Sequence, residues 1–240
     1  ITSKGDIILV RNPSYPIHPY GFLIAGAQVK NIRINKLDKF LTDLTLKIKK
    51  FGNKIKAIVI NFPNNPTAKV VDLDFYSELV KICKKNNIWI LSDLAYAEIY
   101  FETKPPPSIL QVKNAKDVAV EFSSMSKTYN MPGWRIGFAC GNKTLISALS
   151  RIKSYLDYGA FTPIQVAATA ALNGPQNIVE DIRSIYKKRR DVLIKSMSRS
   201  GWNIPVPKAT MFAWAPIPKK YEKKGSISFS KILLKKASLA

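Results

Sequence analysis

Four short apolar runs, each cut off by a polar or proline-containing turn, constrain this chain more than any other feature. Ile7-Ile8-Leu9-Val10 stops at Asn12-Pro13, and Lys56-Ala57-Ile58-Val59-Ile60 stops at Asn61-Phe62-Pro63-Asn64-Asn65-Pro66-Thr67. Ile88-Trp89-Ile90-Leu91 ends at Ser92-Asp93, and Val118-Ala119-Val120-Glu121-Phe122 ends at Ser123-Ser124. Runs this short and this continuously apolar predict strands buried on both faces. Helical spacing separates them. Residues 16–25 carry apolar side chains at that spacing and end near Gly26. Asp72 to Asn86 places Leu73, Tyr76, Leu79, Val80 and Cys83 on one stripe, with Asp72 as N-cap. Strands alternating with helices predict an α/β fold with a mainly parallel sheet. Gln28 to Ile34 and Arg135 to Cys140 read as further strands. After Asn142 the pattern turns helical over 143–157, 162–173 and 175–200, with Thr162-Pro163 as a start signal. Beyond Asn203 it predicts a strand at Met211 to Ala215 and a helix at Ser226 to Lys236, and the Pro207 region marks a change of domain.

Composition then removes several classes of function. No stretch approaches 18 consecutive apolar residues, and Ile1-Thr2-Ser3-Lys4-Gly5-Asp6 lacks the layout of a signal peptide. The single histidine, His18, and two isolated cysteines, Cys83 and Cys140, argue against a zinc site, and His18 leaves little room for a Ser-His-Asp triad. The eleven glycines form neither GxGxxG nor GxxxxGK[ST], which argues against a dinucleotide site or P-loop. A net charge of +22 raises nucleic acid or an anionic membrane as partner. The basic residues, however, are scattered along the chain, and 30 lysines accompany 28 isoleucines and 15 asparagines. That combination reads as a general compositional bias, so neither nucleic acid nor membrane is expected as partner.

In an open α/β sheet, ligands bind outside the carboxyl ends of the strands. Four such ends carry polar groups: Tyr15; Asn65; Asp93 with Tyr96; and Ser124 with Lys127. A lysine on the turn after a buried strand is partly desolvated, which lowers its pKa and favours the neutral amine that forms Schiff bases; the plain alternative is a surface lysine. Arg135 lies between Gly133 and Gly137, which allow close backbone approach. It suits an anionic phosphate, with Ser124 and Ser126 as neutral donors, or else it caps a tight turn. Asp93 ends an apolar strand and needs a partner, either a protonated pyridinium nitrogen or the start of a helix over Ala95 to Tyr100. Tyr15 offers a flat ring for stacking. Singly, Asn65, Tyr96 and Tyr15 each also fit a turn or core position.

Together these segments resemble the fold-type I pyridoxal-phosphate aminotransferases of class I/II. The resemblance rests on Asn-Pro-Ser-Tyr-Pro (12–16), Asn-Asn-Pro-Thr (64–67), Ser-Asp-Leu-Ala-Tyr (92–96) and Ser-Lys-Thr-Tyr-Asn-Met-Pro-Gly-Trp-Arg-Ile-Gly-Phe (126–138), in this order. It implies pyridoxal 5'-phosphate as cofactor, a three-layer α/β/α sheet domain and a homodimeric, cytoplasmic enzyme of amino-acid metabolism. By the same resemblance Lys127 would hold the cofactor and shuttle the proton, Asp93 would pair with the pyridine nitrogen, and Asn65 and Tyr96 would bond the phenolic oxygen. Tyr15 would stack on the ring, and Ser124, Ser126 and Arg135 would hold the phosphate. Segments 14–22, 93–97 and 151–168 look most similar to the bacterial glutamate–pyruvate (alanine) aminotransferases. Residues 154–162 hold no arginine of the kind that reads a side-chain carboxylate in aspartate enzymes.

The resemblance implies transfer of an amino group between an L-amino acid, alanine or glutamate, and a 2-oxo acid. Aspartate or diaminopimelate transamination and a non-catalytic remnant stand as alternatives. Family members extend further at both ends, so the expectation is a truncated chain: residues 1–200 as the cofactor-binding large domain without its N-terminal part, and 201–240 as the beginning of a smaller α/β domain. The family's phosphate loop and its carboxylate-clamping arginine find no match here, and the expected consequence is very weak or absent transamination by this polypeptide alone.

Overall fold

The computed structural model describes residues 1–33 and 37–238. Its centre is a six-stranded sheet in the order β2-β1-β3-β4-β5-β6. The strands are β1 (Ile7–Asn12), β2 (Gln28–Arg33), β3 (Ile55–Asn61), β4 (Trp89–Asp93), β5 (Ala119–Ser124) and β6 (Gly137–Gly141). The helices are α1 (Ile17–Ile24), α2 (Leu37–Phe51), α3 (Leu73–Lys85), α4 (Met125–Thr128), α5 (Lys143–Leu156), α6 (Thr162–Asn173), α7 (Asn177–Arg199) and α8 (Gly225–Ala237). The expected end of the second strand, Ile34, lies outside the described residues.

Strand periodicity divides the core into two layers. Ile7 and Leu9 of β1 with Ile58 and Ile60 of β3 face Phe40 and Leu44 of α2 and Tyr76, Leu79 and Cys83 of α3. Ile8, Val10, Ala57 and Val59 point the other way, towards Phe22 of α1. The three-layer α/β/α arrangement follows because each strand must cover both faces. Asp72 caps α3 as its sequence position predicts, accepting from the Phe75 backbone N–H at 2.9 Å. β1 to β5 run parallel, with β3 and β4 in the register Asn61↔Asp93.

Several sequence expectations need correction. β6 pairs antiparallel with β5, bringing Gly137 opposite Ser124. The connection holds only the one-turn α4 and a 3₁₀ turn at Pro132–Trp134, too little helix to carry the chain across the sheet for a parallel return. Met211 to Ala215 forms no strand. Residues 211–218 are irregular, and the nearest pairing is an isolated bridge between Tyr100 and Ala209. A lone extended segment without a ladder partner does not constitute a strand. Ala95 to Tyr100 is a run of turns, not a helix. Helix α2 has no counterpart in the sequence reading, although Phe40 and Leu44 sit four residues apart and are fully buried. Thr162 is the first residue of α6, and Phe161 occupies the cap position.

One buried acid holds this frame behind the strand ends. Glu121 of β5 accepts from the Ser92 hydroxyl (3.1 Å), the Ser108 hydroxyl (2.5 Å) and the Ile109 backbone N–H (3.1 Å). Burial pushes its carboxyl above the usual range, and these three bonds pull the other way. Glu121→Ala leaves two buried donors, Ser92 and Ile109, and the half-buried Ser108 hydroxyl without this acceptor and is expected to destabilise the fold by about 3 kcal/mol. Urea unfolding of the variant beside the parent checks this, and an unchanged midpoint would refute it.

Candidate functional site

The sheet order sets the site. β1, β3, β4 and β5 are consecutive neighbours, so the polar groups that follow them converge along one edge. β1 lies where the connectivity reverses, with β2 on one side and β3 on the other, the position at which α/β sheets open a crevice.

Asp93 closes β4. Its Oδ1 accepts from the Ala95 backbone N–H at 3.0 Å, and its Oδ2 lies 2.9 Å from His18 Nε2. The two are within hydrogen-bond distance, and an imidazole with its proton on Nε2 would donate to the carboxylate. The sequence reading therefore saw one half of this residue, the turn partner, and missed the other. His18 lies on α1, 75 residues away in sequence, and is nearly buried. Its ring also meets the edge of Tyr15, with centroids 5.8 Å apart. Tyr15 itself remains about half exposed.

Tyr96, in the turns after β4, is buried. Its phenol is pushed up to about 12, first by burial and then by the negative charge of Asp93, while a hydrogen bond with the Asn65 side chain pulls the other way. The hydroxyl consequently stays protonated at neutral pH and can donate to an anionic oxygen. Lys127 Nζ stands 5.7 Å from the Tyr96 ring centroid, within cation–π range. Lys127 is half-buried on the single turn of α4, which Ser124 caps by accepting from the Ser126 backbone N–H at 3.3 Å. The Ser126 residue is buried. Asn65, Asp93, Tyr15 and Lys127 thus all lie around Tyr96.

Arg135 is only partly gathered. Ile136, next in the chain, accepts from the Met125 backbone N–H at 3.2 Å, which ties this segment to the start of α4. The Arg135 side chain, however, is exposed and donates to the Pro132 carbonyl at 2.8 Å, with its own backbone at φ 51°. The turn-capping alternative describes its present position. The flanking glycines also differ from expectation. A β-carbon on Gly137 would collide with the Ser123 carbonyl oxygen, whereas one on Gly133 would meet nothing. Only Gly137 is required for close approach, because β6 passes directly against β5 there.

Two further residues escaped the sequence reading. Arg11, in β1, is buried, lies 4.5 Å over the Phe62 ring and donates to the Asn61 carbonyl at 2.5 Å. Burial lowers its pKa to about 9. Asn61 ends β3 and is 1% exposed. The only signals were a charged residue directly after four apolar ones and an asparagine at a strand end, neither of which predicts burial. A cleft of about 550 Å³ lies apart from Lys127 and Asp93, between Thr67–Val70 and the segment Pro205–Lys208 with Trp214.

The comparisons agree with this geometry. The family model for aminotransferase class I and II matches residues 1–240. A putative aminotransferase, AatC, of Rhizobium meliloti is 54% identical over all of this chain, and the glutamate-pyruvate aminotransferase AlaC of Escherichia coli is 52% identical over 98% of it. The chain spans 59% and 57% of those two proteins. The apo structure of BacF from Bacillus subtilis superimposes with a TM-score of 0.92 at 36% identity, covering 99% of this chain and 60% of BacF. An aminotransferase structure from Staphylococcus aureus gives 0.89 at 31%, covering 98% of this chain and 61% of its own. A family-model match along the whole chain and relatives above half identity establish that the chain belongs to the class I and II aminotransferase family.

Proposed function

We propose that this chain carries the cofactor site of a pyridoxal-phosphate-dependent transaminase that moves an amino group between an L-amino acid, alanine or glutamate, and a 2-oxo acid. The observation that carries this reading is the grouping of a carboxylate, a phenol paired with an amide, and a lysine amine around Tyr96. That donor set fits pyridoxal phosphate group by group. Asp93 offers a carboxylate to a protonated ring nitrogen. Tyr96 and Asn65 offer donors to the phenolic oxygen, Lys127 an amine to the aldehyde, Tyr15 a ring face, and Ser124 and Ser126 hydroxyls to the phosphate. Arg135 reaches the phosphate only by leaving the Pro132 carbonyl.

When bound, pyridoxal phosphate supplies an electron sink for the bond broken at the substrate α-carbon. The chain's residues do the rest. Lys127 Nζ would hold the cofactor at its aldehyde carbon, and its free amine would serve as the general base for the substrate α-proton. Asp93, held by His18 and the Ala95 N–H, keeps a proton on the ring nitrogen. Tyr96 remains a donor throughout, because its raised pKa keeps the phenol neutral.

The amino donor is drawn from the glutamate-pyruvate relative. LL-diaminopimelate aminotransferase of Moorella thermoacetica, 42% identical over 98% of this chain, supports that substrate as the second reading. The same proposal divides the chain at about residue 200, where α7 ends, into a cofactor domain and the start of a second one. It also makes the working protein a homodimer. Tyr155 and Leu156 at the end of α5 and Tyr158 and Phe161 in the loop before α6 are at least 70% exposed and form an apolar surface that a second copy would cover. Two unpaired cysteines suit the cytoplasm.

The test loads the purified protein with pyridoxal phosphate and adds L-alanine, L-glutamate or LL-diaminopimelate singly, measuring the 2-oxo product released in one turnover. Pyruvate from alanine and 2-oxoglutarate from glutamate are expected. Release only from diaminopimelate would favour the second reading, and no uptake of pyridoxal phosphate together with no release from any L-amino acid would overturn both.

A further inference from the structure

Asn61 joins the two arms of the site through one buried side chain. Its Nδ2 donates to the Asp93 backbone carbonyl at 2.9 Å and to the Pro63 carbonyl at 3.2 Å. Its Oδ1 accepts from the Asn65 backbone N–H at 2.8 Å and from Asn64 Nδ2 at 3.2 Å. Both amide protons and both oxygen lone pairs are thereby used, so the side chain has no alternative orientation of equal energy. Its own carbonyl is gripped by Arg11 from the neighbouring strand. Asn61 and Asp93 are also register partners in the parallel β3–β4 pair. The clamp therefore begins at a fixed point of the sheet and ends on the backbones of Asp93 and Asn65, the two residues assigned to the ring nitrogen and the phenolic oxygen.

We infer that Asn61 is a positioning residue, which sets the spacing between the Asp93 carboxylate and the Asn65 amide and so controls the protonation of whatever ring binds between them. This rests on the pyridoxal-phosphate reading above. Sheet hydrogen bonds fix Asp93 only as far as the strand end, and Asn65 follows three residues of irregular loop. Without the clamp, the loop carrying Asn65 moves independently of β4. The sign of the effect follows from charge. A donor held against an anionic phenolic oxygen favours the deprotonated form of the conjugated lysine linkage. Loosening that donor raises the pH at which the linkage titrates.

The experiment titrates the absorbance of bound pyridoxal phosphate against pH in the full chain and in two variants. Asn61→Asp keeps the size and the acceptor for Asn65 but cannot donate to Asp93. Asn61→Ser is polar but too short to span both arms. Both are expected to raise the midpoint by about one pH unit, and single-turnover release of oxo acid is expected to fall about tenfold or more from misplacement. A purely structural role would lower thermal stability and cofactor affinity without moving the midpoint. Unchanged midpoints in a folded variant overturn the inference and leave the cofactor reading intact. Absence of any absorbance change in the parent chain overturns both. If Asn61→Asp does not fold, the Asn61→Ser midpoint decides.

Discussion

Replacing Lys127 with alanine is expected to abolish saturable attachment of pyridoxal phosphate and to reduce oxo-acid release by about 10⁴-fold or more. The reason is positional. The chain has 30 lysines, and any exposed amine reacts weakly with an aldehyde. Lys127 alone among the named site residues carries an amine, and it is half-buried on α4 with its Nζ over the Tyr96 ring. Lys127→Arg separates charge from chemistry, because a guanidinium keeps the cation but stays protonated and cannot act as the amine. It is expected to behave like the alanine variant in attachment while retaining more of the fold's stability. Borohydride reduction followed by peptide mass mapping reads the site directly. A reduced cofactor on Lys127 in the parent chain, and none at a stoichiometric site in either variant, is the expected result. An identical absorbance spectrum in parent and Lys127→Ala would remove the residue from the mechanism.

The second large effect is expected at Asp93. Asp93→Asn preserves volume and can still accept from the Ala95 N–H, so the turn after β4 should survive. It removes the negative charge that holds a proton on the ring nitrogen. Loss of one charge-assisted bond in a dry site is worth about 4 kcal/mol, or roughly a thousandfold in rate. His18→Gln tests the support behind that charge. It leaves the carboxylate in place and alters only one of its two partners, so about a tenfold loss is expected. The order, Asp93→Asn far below His18→Gln and both below the parent, distinguishes a residue that meets the cofactor from one that orients it. Single-turnover rates at saturating cofactor measure it. Equal rates in parent and Asp93→Asn would sink the assignment.

The legible parts of the sequence were those encoded locally. Ile7–Val10, Lys56–Ile60, Ile88–Leu91 and Val118–Phe122 are mostly apolar within themselves, and each gives way to polar residues at its carboxyl end. Their positions could therefore be read without knowing their neighbours. The same holds for Asp72, whose capping bond closes over three residues. The end residues of those strands then named most of the site. What escaped depends on contact between distant segments. His18 meets Asp93 across 75 residues, and Arg11 meets Asn61 across 50. Nothing local to either member of those pairs marks it. The direction of β6 depends on the length of helix in the preceding connection, and Met211–Ala215 failed as a strand because strand propensity needs a neighbour to become a ladder.

The sequence by itself therefore determined which residues could do chemistry: a lysine, a carboxylate, a tyrosine, an asparagine and serines, each at the end of a strand or on the turn beyond it. Only the tertiary structure decided how they are held. It placed β1, β3, β4 and β5 side by side, put an imidazole behind the carboxylate, spanned two loops with one buried amide, and left the Arg135 guanidinium on the Pro132 carbonyl. The physical reason is one of range. Burial periodicity and turn chemistry act over a few residues, whereas hydrogen bonds between strand ends exist only after the sheet has brought those ends together.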